Sequence, residues 1–301
     1  MKTPKILITG ATGATGQTAV KTLCSLGVPV RAMVRQLDAQ SERLQGDGVE
    51  IVKGDLTDFD TVVSALEGIT SAYFVYPIQV PGLLEATASF AQAAIEQKVS
   101  AIVNISQITA RRNSKSHAAR NHWIAERLLD RSGIAITHLR PTLFAEWLLY
   151  LQQAIKEKDI LPLAFGDGRY APIAAEDIGR VIAAILNKPD AHAGKTYPLY
   201  GPQELSQYDV AAMLTNVLGR TITYVPMEIP AFAALLGEMG FTAYFQQHIS
   251  AVCQDCRDGV CSGTNDLVET LTGQAPQGMM DYVTQNKALF MNDEVRKVTA
   301  A

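Results

Sequence analysis

Ile6-Leu7-Ile8-Thr9-Gly10-Ala11-Thr12-Gly13-Ala14-Thr15-Gly16 is the stretch on which the fold turns. Its opening β-branched run predicts a short buried strand, and the following Gln17 to Leu26 predicts a helix. Between them, glycines fall at 10, 13 and 16. One glycine permits the tight turn out of the strand. The next lets phosphate oxygens approach bare backbone, and the third lets the helix pack close to the sheet. Free N–H groups of the first helical turn then face an anion. A ligand-free βα turn uses the same residue types, but the strand before and the helix after favour a pyrophosphate loop. Gly10, Thr12, Gly13, Ala14, Thr15 and Gly16 are therefore candidate cofactor-binding residues.

The rhythm of that stretch repeats. Short apolar runs at Val30 to Val34, Glu50 to Val52, Ala72 to Val75, Ala101 to Ile105 and Ala135 to Leu139 read as strands buried on both faces. Thr61 to Leu66, Leu83 to Gln97 and His117 to Arg131 read as the helices between them. Gly27, Gly68 and Gly133 fall where helices should end. Such alternation implies an α/β fold, a doubly wound parallel Rossmann sheet with right-handed crossovers. After Arg140 the pattern loosens. Helices are expected at Trp147 to Lys158, Ala175 to Leu186 and Gln207 to Leu218, with strands at Thr196 to Leu199 and Ile222 to Val225. Pro162 to Pro172 is punctuated by Gly and Pro. Two units follow: a nucleotide-binding sheet over 1–150 and 172–200, and a smaller, mainly helical substrate lobe over 151–171 and 201–301.

The chain has 301 residues, 26 basic against 30 acidic, and a net charge of -4. That balance argues against a general nucleic-acid binder, which needs a basic field, and 48% hydrophobic residues argue against disorder. No apolar run approaches a membrane span or a secretory h-region, and four cysteines fit a reducing compartment. A cytoplasmic protein, monomer or homodimer, acting on a small molecule without membrane or nucleic acid, is expected.

The end of the second strand selects the cofactor. An acidic residue there would bond the ribose 2′-OH of NAD. Arg35 stands there instead, and its guanidinium suits a 2′-phosphate through paired charge-assisted bonds. NADP(H) is preferred over NAD(H), with Arg31 a second basic group in the same strand. Asp55, with Leu56 beside it, follows the third strand and is placed to bond the adenine amino group; Asp58 reads as a helix cap. Tyr76-Pro77, ending the fourth strand, reads as a cofactor wall.

These segments resemble the NmrA-like family of atypical short-chain dehydrogenases/reductases. Its carriers are ILITGATGATG at the start, VRAMVR at 30–35, VKGDLTD at 52–58 and ERLLDRSGIAITHLRPTLFAEWL at 126–148. AEDIG at 175–179, TYPLYGP at 196–202 and the stretch from Asn265 to Gly273 are similar as well. The chain looks most similar to the triphenylmethane-reductase-like and quinone-reductase-like members. The resemblance implies NADP(H) binding, reduction of planar conjugated substrates, and a nicotinamide loop containing Pro141 and Phe144. Nitrogen-control members imply the alternative, an NADP(H)-binding redox sensor without turnover. The superfamily's Tyr-x-x-x-Lys is absent. The corresponding helix reads His122-Trp123-Ile124-Ala125-Glu126, and isoflavone-reductase-like relatives resemble it with a catalytic lysine at the column of His122.

His122 has an ordinary pKa near working pH and is a candidate catalytic proton source. Glu126, one turn later, would hold the ring and raise its pKa; a plain surface pair has the same spacing. Ser106, with Gln107 next to it, bonds substrate or carboxamide, or shapes a turn. Phe144, Trp147, Tyr150, Phe165 and Tyr170 are candidates for a stacking pocket or for ordinary core. Cys253, Cys256 and Cys261, near His248, crowd into fourteen residues at helical spacing, which suits free thiols better than a metal site.

Replacing Arg35 by Ala is expected to weaken NADPH binding far more than NADH binding in titration calorimetry. Equal losses would mean that Arg35 does not read the 2′-phosphate.

Overall fold

Apolar strands this short are stable only when neighbours pair with both edges and helices cover both faces. The computed structural model describes residues 5–291 and shows that arrangement; the outer ends of the two expected units, 1–4 and 292–301, lie outside the described residues. β1 (Lys5–Ile8) passes through the glycine loop into α1 (Ala14–Ser25). β2 (Val30–Val34), α2 (Ala39–Glu42), β3 (Val49–Lys53) and α3 (Phe59–Leu66) follow. Next come β4 (Ile69–Phe74), α4 (Leu83–Glu96), β5 (Ala101–Ile105), α5 (His117–Asp130) and β6 (Ala135–Pro141). A 3-10 segment, Ala145–Leu151, runs into α6 (Gln152–Lys158), β7 (Ile160–Leu163), α7 (Ala175–Asn187) and β8 (Thr196–Leu199). The chain continues through α8 (Gln207–Leu218), β9 (Thr223–Pro226), α9 (Ile229–Glu238) and α10 (Ala243–Arg257). Three short helices follow: α11 (Leu267–Thr272), α12 (Met279–Gln285) and α13 (Lys287–Phe290).

Seven strands pair in the order β3-β2-β1-β4-β5-β6-β8, every pair parallel. The order reverses between β1 and β4, and a doubly wound sheet binds ligands at the carboxyl ends of the strands beside such a switch. Gly27, Gly68 and Gly133 adopt the left-handed conformation that ends a helix. One face of the sheet buries α1 and α7, and the other buries α3, α4 and α5. A third core runs from Leu143 to Phe290 and joins Leu143, Ala145 and Leu148, expected in the sheet unit, to the residues expected in the lobe.

Three elements differ from the expectation. The Trp147 to Lys158 helix divides into the 3-10 segment and α6. β7 lies at the edge of the Pro-punctuated stretch and pairs in parallel with β9, Ile160 opposite Thr223, through a separation in sequence that no local pattern reveals. α11, within the stretch assigned to the lobe, packs on α7 and β8, and its Val268 joins the sheet core.

The acidic first turn of α7 forms as expected, but its carboxylates do more than oppose the helix dipole. Asp177 is buried, paired with Arg180, and accepts from the backbone N–H of Gln277 at 2.8 Å. No side chain of α7 caps it; Glu146, from the 3-10 segment, accepts from the Ala175 N–H at 3.1 Å. Burial pushes the Glu146 carboxyl up to about 7. The lobe is thus tied to the helix that backs α1.

α1 and α7 touch at Gly179, where a Cβ would lie 2.5 Å from Thr18 Cβ and 2.8 Å from the Thr15 carbonyl oxygen. Gly179→Val is expected to force the helices apart at a cost of about 1–3 kcal/mol, read as a lower Tm in calorimetry. Gly179→Ala should give a smaller fall of the same sign.

Candidate functional site

The carboxyl edge of the sheet gathers the residues that the sequence singled out. Gly10 is exposed with φ of +56°, and Gly13 is the N-cap of α1, offering no side chain to the first-turn N–H groups. Ala14 is exposed beside it, and the Thr12 carbonyl accepts from Gln17 Nε2. Gly16 is buried against Gly10: a Cβ there would lie 2.3 Å from the Gly10 carbonyl oxygen. The helix start is therefore bare, close to the sheet and open to an anion, which fits a dinucleotide pyrophosphate. Thr15 differs from a phosphate-binding side chain. It is buried, and its hydroxyl lies 3.0 Å from the Tyr73 hydroxyl in the core, so only its backbone faces the loop.

Arg35 is exposed just past β2 and lies near enough to Asp55 and Tyr76 to influence the titration of both. Asp55 accepts from Thr57 N–H and the Thr57 hydroxyl at 2.9 and 2.7 Å, which hold its carboxyl below the usual range. Leu56 is half-buried against the core beneath the sheet. Asp58 caps α3 through Thr61 N–H. Tyr76 donates to the Pro81 carbonyl at 3.0 Å, with half-buried Pro77 beside it. Arg31 does not join this group. Mid-strand and buried, it donates to the carbonyls of Ala65 and Glu67 at 2.8 Å and pairs with Glu50, bracing α3.

Deeper in the crevice, Ser106 follows β5 and Pro141 ends β6. Half-buried Phe144 pairs its backbone with Ile173 and packs on the α1–α7 core. Glu126 is fully buried and belongs to Arg140, whose Nε donates to Oε1 at 2.8 Å and Nη2 to Oε2. Burial works against its charge, but Arg140, helped by the neighbouring Ser106 hydroxyl, keeps its carboxyl below the usual range. Glu126 therefore does not hold His122, as the spacing suggested. His122 is buried, its Nδ1 has no partner, and desolvation pulls its pKa down to about 4, against a smaller opposing pull from the Glu126 charge. The ring is neutral at physiological pH rather than poised there.

α10 packs against α5. It is clamped along α5: Gln247 donates to the Lys115 carbonyl and accepts from His117 N–H, Tyr244 bonds Asn121, and Arg111 pairs with buried Asp255. It carries Phe245, which stacks on Trp147 with ring centroids 5.9 Å apart and an interplanar angle of 13°. Tyr150 and Phe241 complete the wall, and Gln79 donates to the Tyr150 hydroxyl at 3.2 Å. Trp147 and Tyr150 are half-buried and pack on Phe245 at the margin of the lobe core, whereas Phe165 and Tyr170 meet edge-to-face inside that core. Phe241, Tyr244, Phe245 and Gln79 were missed, because they lie on segments that only the tertiary fold brings to Trp147 and Tyr150, and His248 was weighed only beside the cysteines. Cys253, Cys256 and Cys261 are buried thiols in that core, Cys256 Sγ donating to Cys261 Sγ at 2.9 Å.

A parallel Rossmann sheet with a bare glycine loop at its switch point defines a dinucleotide-binding protein. The chain matches the NmrA-like family over residues 2–258 and belongs to it. It is 30% identical over 287 residues to an NAD(P)H azoreductase of Xenophilus azovorans, covering 95% of this chain and 99% of that one. Its structure is similar to that of an NADPH-dependent quinone oxidoreductase of Escherichia coli in complex with NADPH (TM-score 0.85, 26% identity, 94% of this chain and 99% of the other). The triphenylmethane reductase of Citrobacter shares the fold (TM-score 0.81, 23% identity, 93% and 99%).

Because His122 and, more strongly, His248 are buried neutral, with values of about 4 and about 3, the unfolded chain binds more protons than the native one below pH about 6.5. Stability should fall as pH drops from about 6.5 towards 4. His122→Leu should make that fall shallower by about 2 kcal/mol between pH 7 and 5, measured by urea unfolding.

Proposed function

We propose that the protein is an NADPH-dependent reductase that transfers hydride to a planar conjugated small molecule, quinone-like or dye-like. The observation that carries this is the meeting, along one sheet edge, of an uncapped glycine-loop helix start, the Arg35 guanidinium and an aromatic-walled crevice. The named activities of the relatives, azo reduction and quinone oxidoreduction, fit the same crevice.

Backbone groups of Gly10, Thr12, Gly13, Ala14, Thr15 and Gly16 hold the pyrophosphate, and Arg35 holds the 2′-phosphate. NADPH is the preferred donor and NADH the alternative. Asp55 and Leu56 flank the adenine, Tyr76 and Pro77 form a wall, and Ser106, Pro141 and Phe144 border the nicotinamide. Bound there, NADPH supplies a hydride. Trp147, Tyr150 and Phe245 orient a flat acceptor and exclude water. Glu126 acts through Arg140, fixing the strand end beneath the crevice rather than moving a proton. His122, neutral at physiological pH, offers hydrogen bonding; the proton that completes a hydroquinone comes from water. We infer a cytoplasmic monomer or homodimer acting on a small molecule; the net charge of -4 argues against nucleic acid as a partner, and no helix among the described residues is long and apolar enough to cross a membrane.

Purified protein should oxidise NADPH, followed optically, with at least one member of a panel of quinones, azo dyes and triphenylmethane dyes. Tight NADPH binding with only background oxidation for every acceptor would replace this proposal with the sensor alternative.

A further inference from the structure

The crevice floor holds more hydrogen-bonding capacity than the chain uses. His122 Nδ1 and Gln107 Nε2 are both buried without a hydrogen-bond partner. His122 is about 95% buried (5% exposed). Native proteins rarely leave such groups unpaired, and a buried donor or acceptor left open marks where a ligand completes the bonding.

The lobe contributes a further polar group. His248 of α10 is buried, stands across from His122 between α5 and α10, and packs its ring on Phe245 with centroids 6.2 Å apart. Its tautomer is fixed from outside the crevice. Ser116 is the N-cap of α5, and its Oγ accepts from Ala119 N–H at 3.0 Å. That hydroxyl also lies 2.7 Å from His248 Nδ1. Among the described residues Nδ1 is the acceptor within reach of the buried Ser116 hydroxyl proton, so the hydroxyl donates to it and the imidazole proton lies on Nε2. The helix cap thus sets the donor of a residue on the other lobe.

We propose, on the basis of the reductase reading, that His248 and His122 form an uncharged receptor for a carbonyl oxygen of the acceptor, so that the favoured substrates are neutral quinones. Hydride from NADPH adds to the conjugated quinone, and the displaced π electron pair moves onto the quinone oxygen. An imidazole N–H hydrogen-bonds the resulting phenolate. Water then supplies one proton, and the products are hydroquinone and NADP+. Neutral imidazole suits this step because it donates without first being protonated and is already in place when the charge develops. A cationic triphenylmethane dye makes no such demand. It takes hydride at carbon, loses its positive charge and develops no oxyanion.

The test compares His248→Leu, which removes the donor, with His248→Gln, whose amide N–H reaches the position of Nε2. Both are assayed with a neutral quinone and with a cationic triphenylmethane dye, with NADPH affinity from calorimetry as the folding control. Loss of one oxyanion donor should lower kcat for the quinone by about 10²-fold in the leucine variant. The glutamine variant should recover most of that loss, and NADPH affinity and dye reduction should stay within about threefold of wild type. Equal quinone activity in the two variants, or parallel losses with quinone and dye, overturns the proposal. A wild type that reduces the dye but no quinone also overturns it while leaving the reductase intact. A wild type that oxidises NADPH with neither acceptor defeats the reductase reading itself.

Discussion

The close approach of α1 to the sheet is the constraint on which the rest of the molecule depends. A Cβ at Gly16 would lie 2.3 Å from the Gly10 carbonyl oxygen, and one at Gly10 would lie 2.6 Å from Val75 Cγ1. The loop thus needs its glycines to pack, before any phosphate is considered. Thr9 secures the same corner. Its hydroxyl donates to the Tyr73 carbonyl and accepts from Val75 N–H, both at 3.0 Å, joining the end of β1 to the end of β4 where the strand order reverses. Tyr73 reaches back to the Thr15 hydroxyl, so the helix start is held from below. What remains outward is a row of amides with no side chain of their own to satisfy them.

Much of this was legible in the sequence because it is local. Strand and helix periods follow from neighbours, and Gly27, Gly68 and Gly133 mark helix ends by the backbone conformation they alone adopt easily. Arg35 and Asp55 were legible because the carboxyl ends of parallel strands all lie on one edge. What stayed hidden depends on partners distant in the chain. Arg31 lies within β2 while Arg35 lies past its carboxyl end, and Arg31 spends its donors on the end of α3. Glu126 has helical spacing to His122, yet Arg140, from the next strand, presents two guanidinium donors and takes it. A bidentate charge pair outweighs a neutral imidazole in a dry interior.

The lobe shows the same contrast. Trp147 and Tyr150 were identifiable as aromatic residues following the sixth strand, but their wall is completed by α10, nearly a hundred residues later. β7 needed β9 to exist as a strand. The lobe is coupled to the nucleotide edge through two carboxylates, Glu146 capping α7 and Asp177 of α7 accepting from Gln277 N–H, while α7 packs on α1 and α1 presents the loop. The lobe and the glycine loop therefore share one continuous framework.

The buried thiols acquire a meaning from that framework. Quinones are soft electrophiles that arylate exposed thiolates. Cys253, Cys256 and Cys261 are sealed inside the lobe, where desolvation pushes the Cys253 thiol up to about 12 and raises the Cys256 thiol well above its ordinary range. Half-buried Cys24 is also raised by desolvation. Raised thiols are weak nucleophiles, because the reactive form is the thiolate. An electrophile reaches the three lobe thiols only when the lobe core opens, so their exposure to arylation follows unfolding of that core.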